Sequence, residues 1–222
     1  RPVFADFNVI SHPESSLELK QRLLDFIPPH EQYKWFRSMN SSQALAQSVF
    51  GNLAIYDCFE VLSDLLDDDG SPLFSRAQLS ADHFRMEHKV GHLGEPQPTS
   101  LDGYFGGEYQ VAIECKFTEH EVGSCSHVQL RPGHPTWCDV NFTLKGRAHR
   151  GPLTTTGMKY WQFVPELFHW KNDADIRPCP LYRNYQLVRN VLAIGVQGDG
   201  SVSLENGHVV LIYDERNPAF QK

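Results

Sequence analysis

The sequence predicts a mixed α/β (α+β) fold, a central mixed β-sheet flanked by helices, from three observations. Leu45, Val49, Leu53 and Tyr56 recur at helical spacing before any strand pattern appears. Two short extended segments then meet across Gly106-Gly107, a turn signal. A second helical stripe, Leu181, Tyr185, Val188 and Leu192, leads into the apolar run Val209-Val210-Leu211-Ile212. With Phe84-Arg85-Met86-Glu87-His88 as a first strand, the order is αβββαβ, which packs helices on a sheet.

Composition sets the limits. A chain of 222 residues without an internal repeat or low-complexity linker is expected to form one domain over 1–222, with residues 1–40 an extension packing on a core of 41–215. With 41% hydrophobic residues it can build a core, and this with its mixed charge argues against disorder. No apolar run approaches the length of a membrane span, so no membrane partner is expected. The chain begins Arg1-Pro2 with no Met and no signal-like apolar segment, which is expected of an edge set either by processing or by the choice of segment. Its 5 cysteines are irregularly spaced and cannot all pair, which favours a reducing cytoplasm.

In chain order, Leu17, Leu19, Leu23, Leu24, Phe26 and Ile27 suggest a short helix ended by Pro28-Pro29. Tyr33, Trp35 and Phe36 read as packing aromatics. Asn40-Ser41-Ser42 offers N-caps for a long helix over Ser42–Leu66, and Asp67-Asp68-Asp69-Gly70 reads as a solvated turn just beyond it. His88 and His92 have the spacing of a helical zinc pair, but Gly91 and Gly94 place them in a loop. Cys125, His127, His134, Cys138 and Cys179 lack any Cys-x2-Cys knuckle, so structural thiols and loop histidines are the simpler assignment. Pro180 suits the first position of the last helix, and His208–Tyr213 reads as a buried strand.

The most informative segment is Thr99–Phe117. Val111, Ile113, Cys115 and Phe117 alternate with Ala112, Glu114, Lys116 and Thr118, so Glu114 and Lys116 share one strand face. Leu101-Asp102-Gly103-Tyr104-Phe105 supplies the partner strand and sets Asp102 beside Glu114. Two carboxylates can hold a hard divalent cation, and an ammonium beside them can hold a water for attack on a phosphodiester. Glu-x-Lys alone has little weight, since about one such triplet arises by chance in a chain of this length. The competing assignment is a solvated strand face carrying a surface ion pair worth about 0–1 kcal/mol.

Asp102, Glu114 and Lys116 on a hairpin resemble the signature of the PD-(D/E)XK nuclease superfamily, with its restriction-endonuclease-like core. The resemblance spans roughly Ser41–Glu215 and is strongest to a bacterial restriction-endonuclease branch with Glu-Cys-Lys-Phe-Thr-Glu at the motif. Leu101 stands where the superfamily name has Pro. The resemblance implies a metal-dependent endonuclease acting on DNA, in restriction or anti-phage defence. It implies Mg²⁺ or Mn²⁺ on Asp102, Glu114 and the main-chain carbonyl of Cys115, with Lys116 beside the attacking water. In such nucleases an earlier acid can join the metal shell. Glu87 fits that role, and it equally fits a surface pair with Lys89. The helix after the catalytic strand carries Gln186 and Arg189, placed to steady a phosphate or to form a polar helix edge. Many nucleases of this fold dimerise, so a homodimer is allowed, although no residue marks an interface.

Net charge is −7, unhelpful for gripping nucleic acid, but it is unevenly spread. Residues 1–130 carry 9 Lys/Arg against 19 Asp/Glu, whereas 131–189 carry 9 against 4. The second stretch holds Arg131, Lys145, Arg147, Arg150, Lys159, Lys171, Arg177, Arg183 and Arg189, interleaved with Trp137, Phe142, Tyr160, Trp161, Phe163 and Trp170. It suits contact with a DNA backbone, or an ordinary mixed surface over buried aromatics. Two other functions fit the same residues: a catalytically inactive nuclease-fold module binding nucleic acid or protein, and a metallohydrolase of small phosphoesters, which the negative charge supports.

Overall fold

The computed structural model describes residues 4, 8–126, 141–170, 179 and 181–221. In chain order its elements are α1 (Leu17–Leu24), α2 (Ser42–Ala46), a π-turn (Gln47–Gly51), α3 (Asn52–Ile55), a 3₁₀ turn (Phe59–Asp64), β1 (Phe84–Val90), β2 (Thr99–Phe105), β3 (Gln110–Lys116), β4 (Asn141–Leu144), β5 (Arg147–Arg150), a 3₁₀ turn (Pro152–Thr156), α4 (Tyr160–Leu167), α5 (Tyr185–Gly195) and β6 (Gly207–Tyr213). A four-stranded mixed sheet has the order β1-β2-β3-β6, so the predicted αβββαβ core is present. The residues cluster into two compact units, Arg1–His88 with Leu101–His120 and Val209–Lys222, and Lys89–Ser100 with Glu121–His208.

In the first unit local chemistry starts each helix. Ser16 caps α1 by accepting the Leu19 amide at 3.2 Å, and Ser41 caps α2 by accepting the Ala44 amide at 3.2 Å. The expected helix over Ser42–Leu66 is shorter: the helical run stops at Ile55, and Asp57 takes a left-handed φ of 48°. Phe59 and Leu62, both buried, lie three apart, and the 3₁₀ turn delivers them to one side. Phe36 is buried as expected, but Tyr33 and Trp35 are exposed, flanking the Lys34 ammonium at 6.0 and 5.9 Å. Residues ahead of α2 are tied to it: Gln47 Nε2 donates to the Leu23 carbonyl at 2.5 Å, and Val9, Leu23, Phe36 and Ala44 share one apolar cluster.

The main core of this unit is aromatic. Phe50, Phe59, Phe74, Phe84 and Phe105 pack with ring centroids 4.8–6.0 Å apart, against Val111, Ile113, Cys115 and Val210. The strands β2 and β3 are antiparallel with Gly103 opposite Ile113, Tyr104 opposite Ala112 and Phe105 opposite Val111. Continuing that register sets Asp102 opposite Glu114. His88, expected in a loop, lies on β1 with its ring stacked 4.1 Å from that of Tyr104. The strand β6, expected to be buried throughout, buries only Val210, because it stands at a sheet edge.

In the second unit β4 and β5 form a hairpin that the sequence pattern did not reveal. Leu144 pairs with Arg147 across Lys145-Gly146, both at positive φ (50° and 75°), as a type I′ turn requires. Helices α4 and α5 pack together over buried Leu153, Tyr160, Val164, Leu181, Val188 and Leu192. Helix α5 starts at Tyr185 after Asn184, so position 180 is not its first turn, and Pro180 itself lies outside the described residues. Cys125 and Cys179 are buried, while His127, Arg131, His134, Trp137, Cys138, Lys171 and Arg177 also lie outside the described residues.

Candidate active site

The first unit brings Asp102, Glu114, Lys116 and Glu87 together. On β3, Lys116 Nζ contacts Glu114 Oε1 at 2.5 Å, with the two side chains 5% and 4% exposed. This buried pair replaces the solvated ion pair that the alternation also allowed, because β3 is an inner strand covered on both faces. Asp102, on the neighbouring strand, remains partly exposed. Its Oδ2 accepts the Cys115 amide at 2.7 Å, so the main chain at Cys115 is drawn to the carboxylate while the thiol joins the core on the other face.

Electrostatics at this cluster are strained in one direction. Burial and the facing Glu114 carboxylate push the Asp102 carboxyl well above the usual carboxylate range, and Glu87 adds to the effect. The Cys115 amide and the Lys116 ammonium oppose it without cancelling it. Burial alone would lower the Lys116 pKa, but Glu114, then Asp102 and Glu119, outweigh it and hold the ammonium above its ordinary value. Lys116 is therefore charged at neutral pH. The Cys115 thiol is pushed up by burial and by the surrounding carboxylates, which makes it inert.

Glu87 sits on β1 with φ 48°, a left-handed conformation rare for a residue with a side chain. Its Oε1 accepts Gln43 Nε2 at 2.6 Å. Gln43 also donates to the Glu31 carbonyl at 3.2 Å and accepts the Tyr33 amide at 2.8 Å, so α2 holds Glu87 in place. Glu119 accepts the Phe117 and Thr118 amides at 2.7 and 3.0 Å and so shapes the chain just beyond Lys116. No sequence spacing marked Gln43, whereas Glu119 closes the Glu-Cys-Lys-Phe-Thr-Glu segment and could have been flagged. Among the described residues no three His, Cys, Asp or Glu side chains group closely enough to hold a metal by side chains alone.

The remaining expected residues belong to the second unit. Lys145, Arg147 and Arg183 are exposed. Gln186 lies against Gly123, where an added Cβ would come within 2.7 Å of its Oε1. Arg189 Nε donates to Glu95 Oε1 at 2.9 Å and to Thr99 Oγ1 at 3.1 Å, and its guanidinium lies 5.2 Å from the Tyr185 ring. Glu95 also accepts Tyr160 Oη and the Thr99 amide, so Arg189 is fixed by a carboxylate that sequence spacing did not single out.

A helix-flanked mixed sheet in the order αβββαβ defines a restriction-endonuclease-like protein. The chain belongs to the family described as "Restriction Endonuclease associating with ARP", whose model matches residues 8–222. No curated protein and no solved structure matches it. Membership points to a nuclease with DNA as its substrate class. No helix among the described residues is long and apolar enough to cross a membrane.

Proposed function

We propose that the protein is an endodeoxyribonuclease of the PD-(D/E)XK type, cutting DNA in a restriction or anti-phage role in the cytoplasm. The observation that carries this reading is the apposition of Asp102 and Glu114 across β2 and β3, with Lys116 charged beside them. Two facing carboxylates, one of them pushed toward its neutral form by the other, are a hard-oxygen donor set that a divalent cation would relieve. Mg²⁺ or Mn²⁺ would be held there by Asp102, Glu114 and the main-chain carbonyl of Cys115, with Glu87 a further acid that acts through its charge on Asp102 and not as a third side-chain ligand. When bound, such a cation neutralises phosphate charge and acidifies water.

The chain's own groups supply the rest. Lys116 is held protonated, so it acts as a donor that orients the attacking water and stabilises charge on the phosphate, and not as the proton acceptor. Glu114 fixes the ammonium at 2.5 Å. Lys145, Arg147, Arg183 and Arg189, with Gln186, contact the DNA backbone from the second unit.

Supercoiled plasmid with Mg²⁺ tests the reading. The parent protein should nick or linearise it, chelation should stop the reaction, and Asp102→Asn and Lys116→Ala should each cut at least ~100-fold more slowly. Equal cleavage by all three proteins overturns the assignment. The near-closure of Glu114 and Lys116, 3% and 6% exposed, favours a second reading, a binding module without activity. That reading requires DNA binding with no cutting by the parent at any metal concentration.

A further inference from the structure

The helical stripe Leu45, Val49, Leu53 and Tyr56, whose spacing marks a core face, is turned outward in the first unit. Leu45, Val49 and Tyr56 are exposed and Leu53 is half-buried, whereas Ala44, Ala46, Phe50 and the polar Gln47 take the buried side. The outward stripe walls a groove of about 730 Å³, and residues 10–13 form the facing wall. Ile10 there is 68% exposed and Val49 opposite it 48%, so the groove offers apolar surface to a partner. Leu45, Ser48, Val49, Asn52, Leu53 and Tyr56 stand along it at i, i+3, i+4, i+7, i+8 and i+11, one helical face about 16 Å long.

The two walls are tied together. The Ile10 amide donates to Ser48 Oγ at 2.9 Å, and Asn52 Nδ2 donates to the Ile10 carbonyl at 2.8 Å. Ser15 Oγ and Tyr56 Oη share a hydrogen bond of 2.6 Å, and the His12 ring meets the Tyr56 ring edge-on at 6.0 Å. These bonds engage polar groups of both walls and fix their separation, so the groove is formed before anything enters it.

Its border is acidic. The segments that build it, residues 9–19 and 39–66, carry Glu14, Glu18, Asp57, Glu60 and Asp64 and neither Lys nor Arg. Exposed Asp57 lies between the lining residues Tyr56 and Cys58, and exposed Glu14 follows the lining residue Pro13. Burial, then Glu60 and Asp57, push the Cys58 thiol up, so both carboxylates act at the groove wall. Such a border repels DNA phosphates. It also repels the same face of a second copy, since an isologous pair would set acid against acid. It attracts a partner that flanks an apolar stripe with cations.

We propose that this groove docks an amphipathic helix of another protein, its apolar face against Leu45, Val49, Leu53 and Tyr56 and its Lys or Arg flanks toward Glu14, Asp57 and Glu60. About three turns of helix match the length of the stripe. The proposal is independent of the nuclease reading.

The test uses the full chain and three labelled helical peptides, read by fluorescence polarisation. The first is built of Leu and Lys, with Leu at i, i+3, i+4, i+7 and i+8; the second has the same composition with the leucine stripe scrambled; the third has Glu for every Lys. The first should bind at least ~10-fold more tightly than either control. Val49→Ser and Leu45→Ser, both at exposed side chains, should each weaken it ~5–10-fold while Tm stays within about 2 °C of the parent. Glu14→Gln with Glu60→Gln should weaken it at low salt and flatten its salt dependence. Equal binding of the scrambled peptide would reduce the effect to bulk charge and overturn the proposal. So would equal binding of the Glu peptide, or serine variants within twofold of the parent. A parent that sediments as a dimer without peptide, and as a monomer after Val49→Ser, would give the groove to a second copy and likewise overturn it.

Discussion

At Asp102, burial and a facing carboxylate act in the same direction, so the folded protein favours the neutral carboxyl more than the unfolded chain does. The folded pKa lies above the unfolded one. The folded state therefore takes up a proton first, and metal-free protein should gain stability as pH falls from neutral through the raised pKa of Asp102. The gain levels off below the ordinary carboxylate value. Asp102→Asn removes the conflict at neutral pH and keeps an acceptor for the Cys115 amide. Discounted for partial exposure, relief of one like-charge contact is worth about 1 kcal/mol. Thermal melts in EDTA should show Tm raised by about 2–4 °C at pH 7 and a flatter Tm-versus-pH profile for the variant. A lower Tm at pH 7 would show that Asp102 is a structural acceptor first. Lys116 should behave in the opposite way. Removing the ammonium from Glu114, whose side chain is 4% exposed, should cost Lys116→Ala about 3 kcal/mol or more. The double change Glu114→Gln with Lys116→Gln should recover part of that stability and none of the cleavage, as read by urea melts and plasmid assays.

Among the elements, β1 carries the main departure from regular geometry. Glu87 holds a left-handed φ of 48°, which for a residue with a Cβ costs on the order of 1 kcal/mol and persists only where the surroundings enforce it. Here Gln43 enforces it from α2, a residue also bound to the chain at Glu31 and Tyr33. Glu87→Asn suits the same backbone region, so its Tm should stay within about 2 °C of the parent. Its plasmid cleavage should fall ~10-fold or more if Glu87 serves the cation. A change in Tm with full cleavage would assign Glu87 to structure alone. These elements also show what the sequence could and could not reveal. Period-two alternation exposed β3, and Gly106-Gly107 located the turn, because both signals are local. The end of the long helix at Ile55 was not legible, since it depends on where Phe59 and Leu62 meet Phe84 and Phe105, contacts set by distant chain. The β4–β5 hairpin was missed because Lys145-Gly146 is a weaker turn signal than Asn-Gly. The roles of Gln43 and Glu95 were invisible for the same physical reason: the Gln43–Glu87 and Glu95–Arg189 contacts span 44 and 94 residues, and neither leaves a spacing rule.

For the whole molecule, a net charge of −7 opposes DNA binding, yet the charge is not spread evenly. If DNA phosphates approach Asp102, the carboxylate there repels them more strongly than an equal charge elsewhere, because Coulomb energy falls with distance and salt screens beyond about 10 Å at 0.1 M. Asp102→Asn should therefore tighten DNA binding in EDTA while abolishing cleavage, by about fivefold, the value of roughly 1 kcal/mol between close unit charges in water. Glu18→Gln on exposed α1 removes the same formal charge from another place in the first unit. Under one set of salt conditions, polarisation titrations of a labelled duplex should separate the two: Asp102→Asn tightens and Glu18→Gln changes little. Ca²⁺ supplied to the parent should reproduce the tightening, and should add nothing to Asp102→Asn, since the cation and the substitution remove the same repulsion. Equal effects from both substitutions would mean that only net charge matters, and DNA would then bind the chain away from its carboxylate cluster.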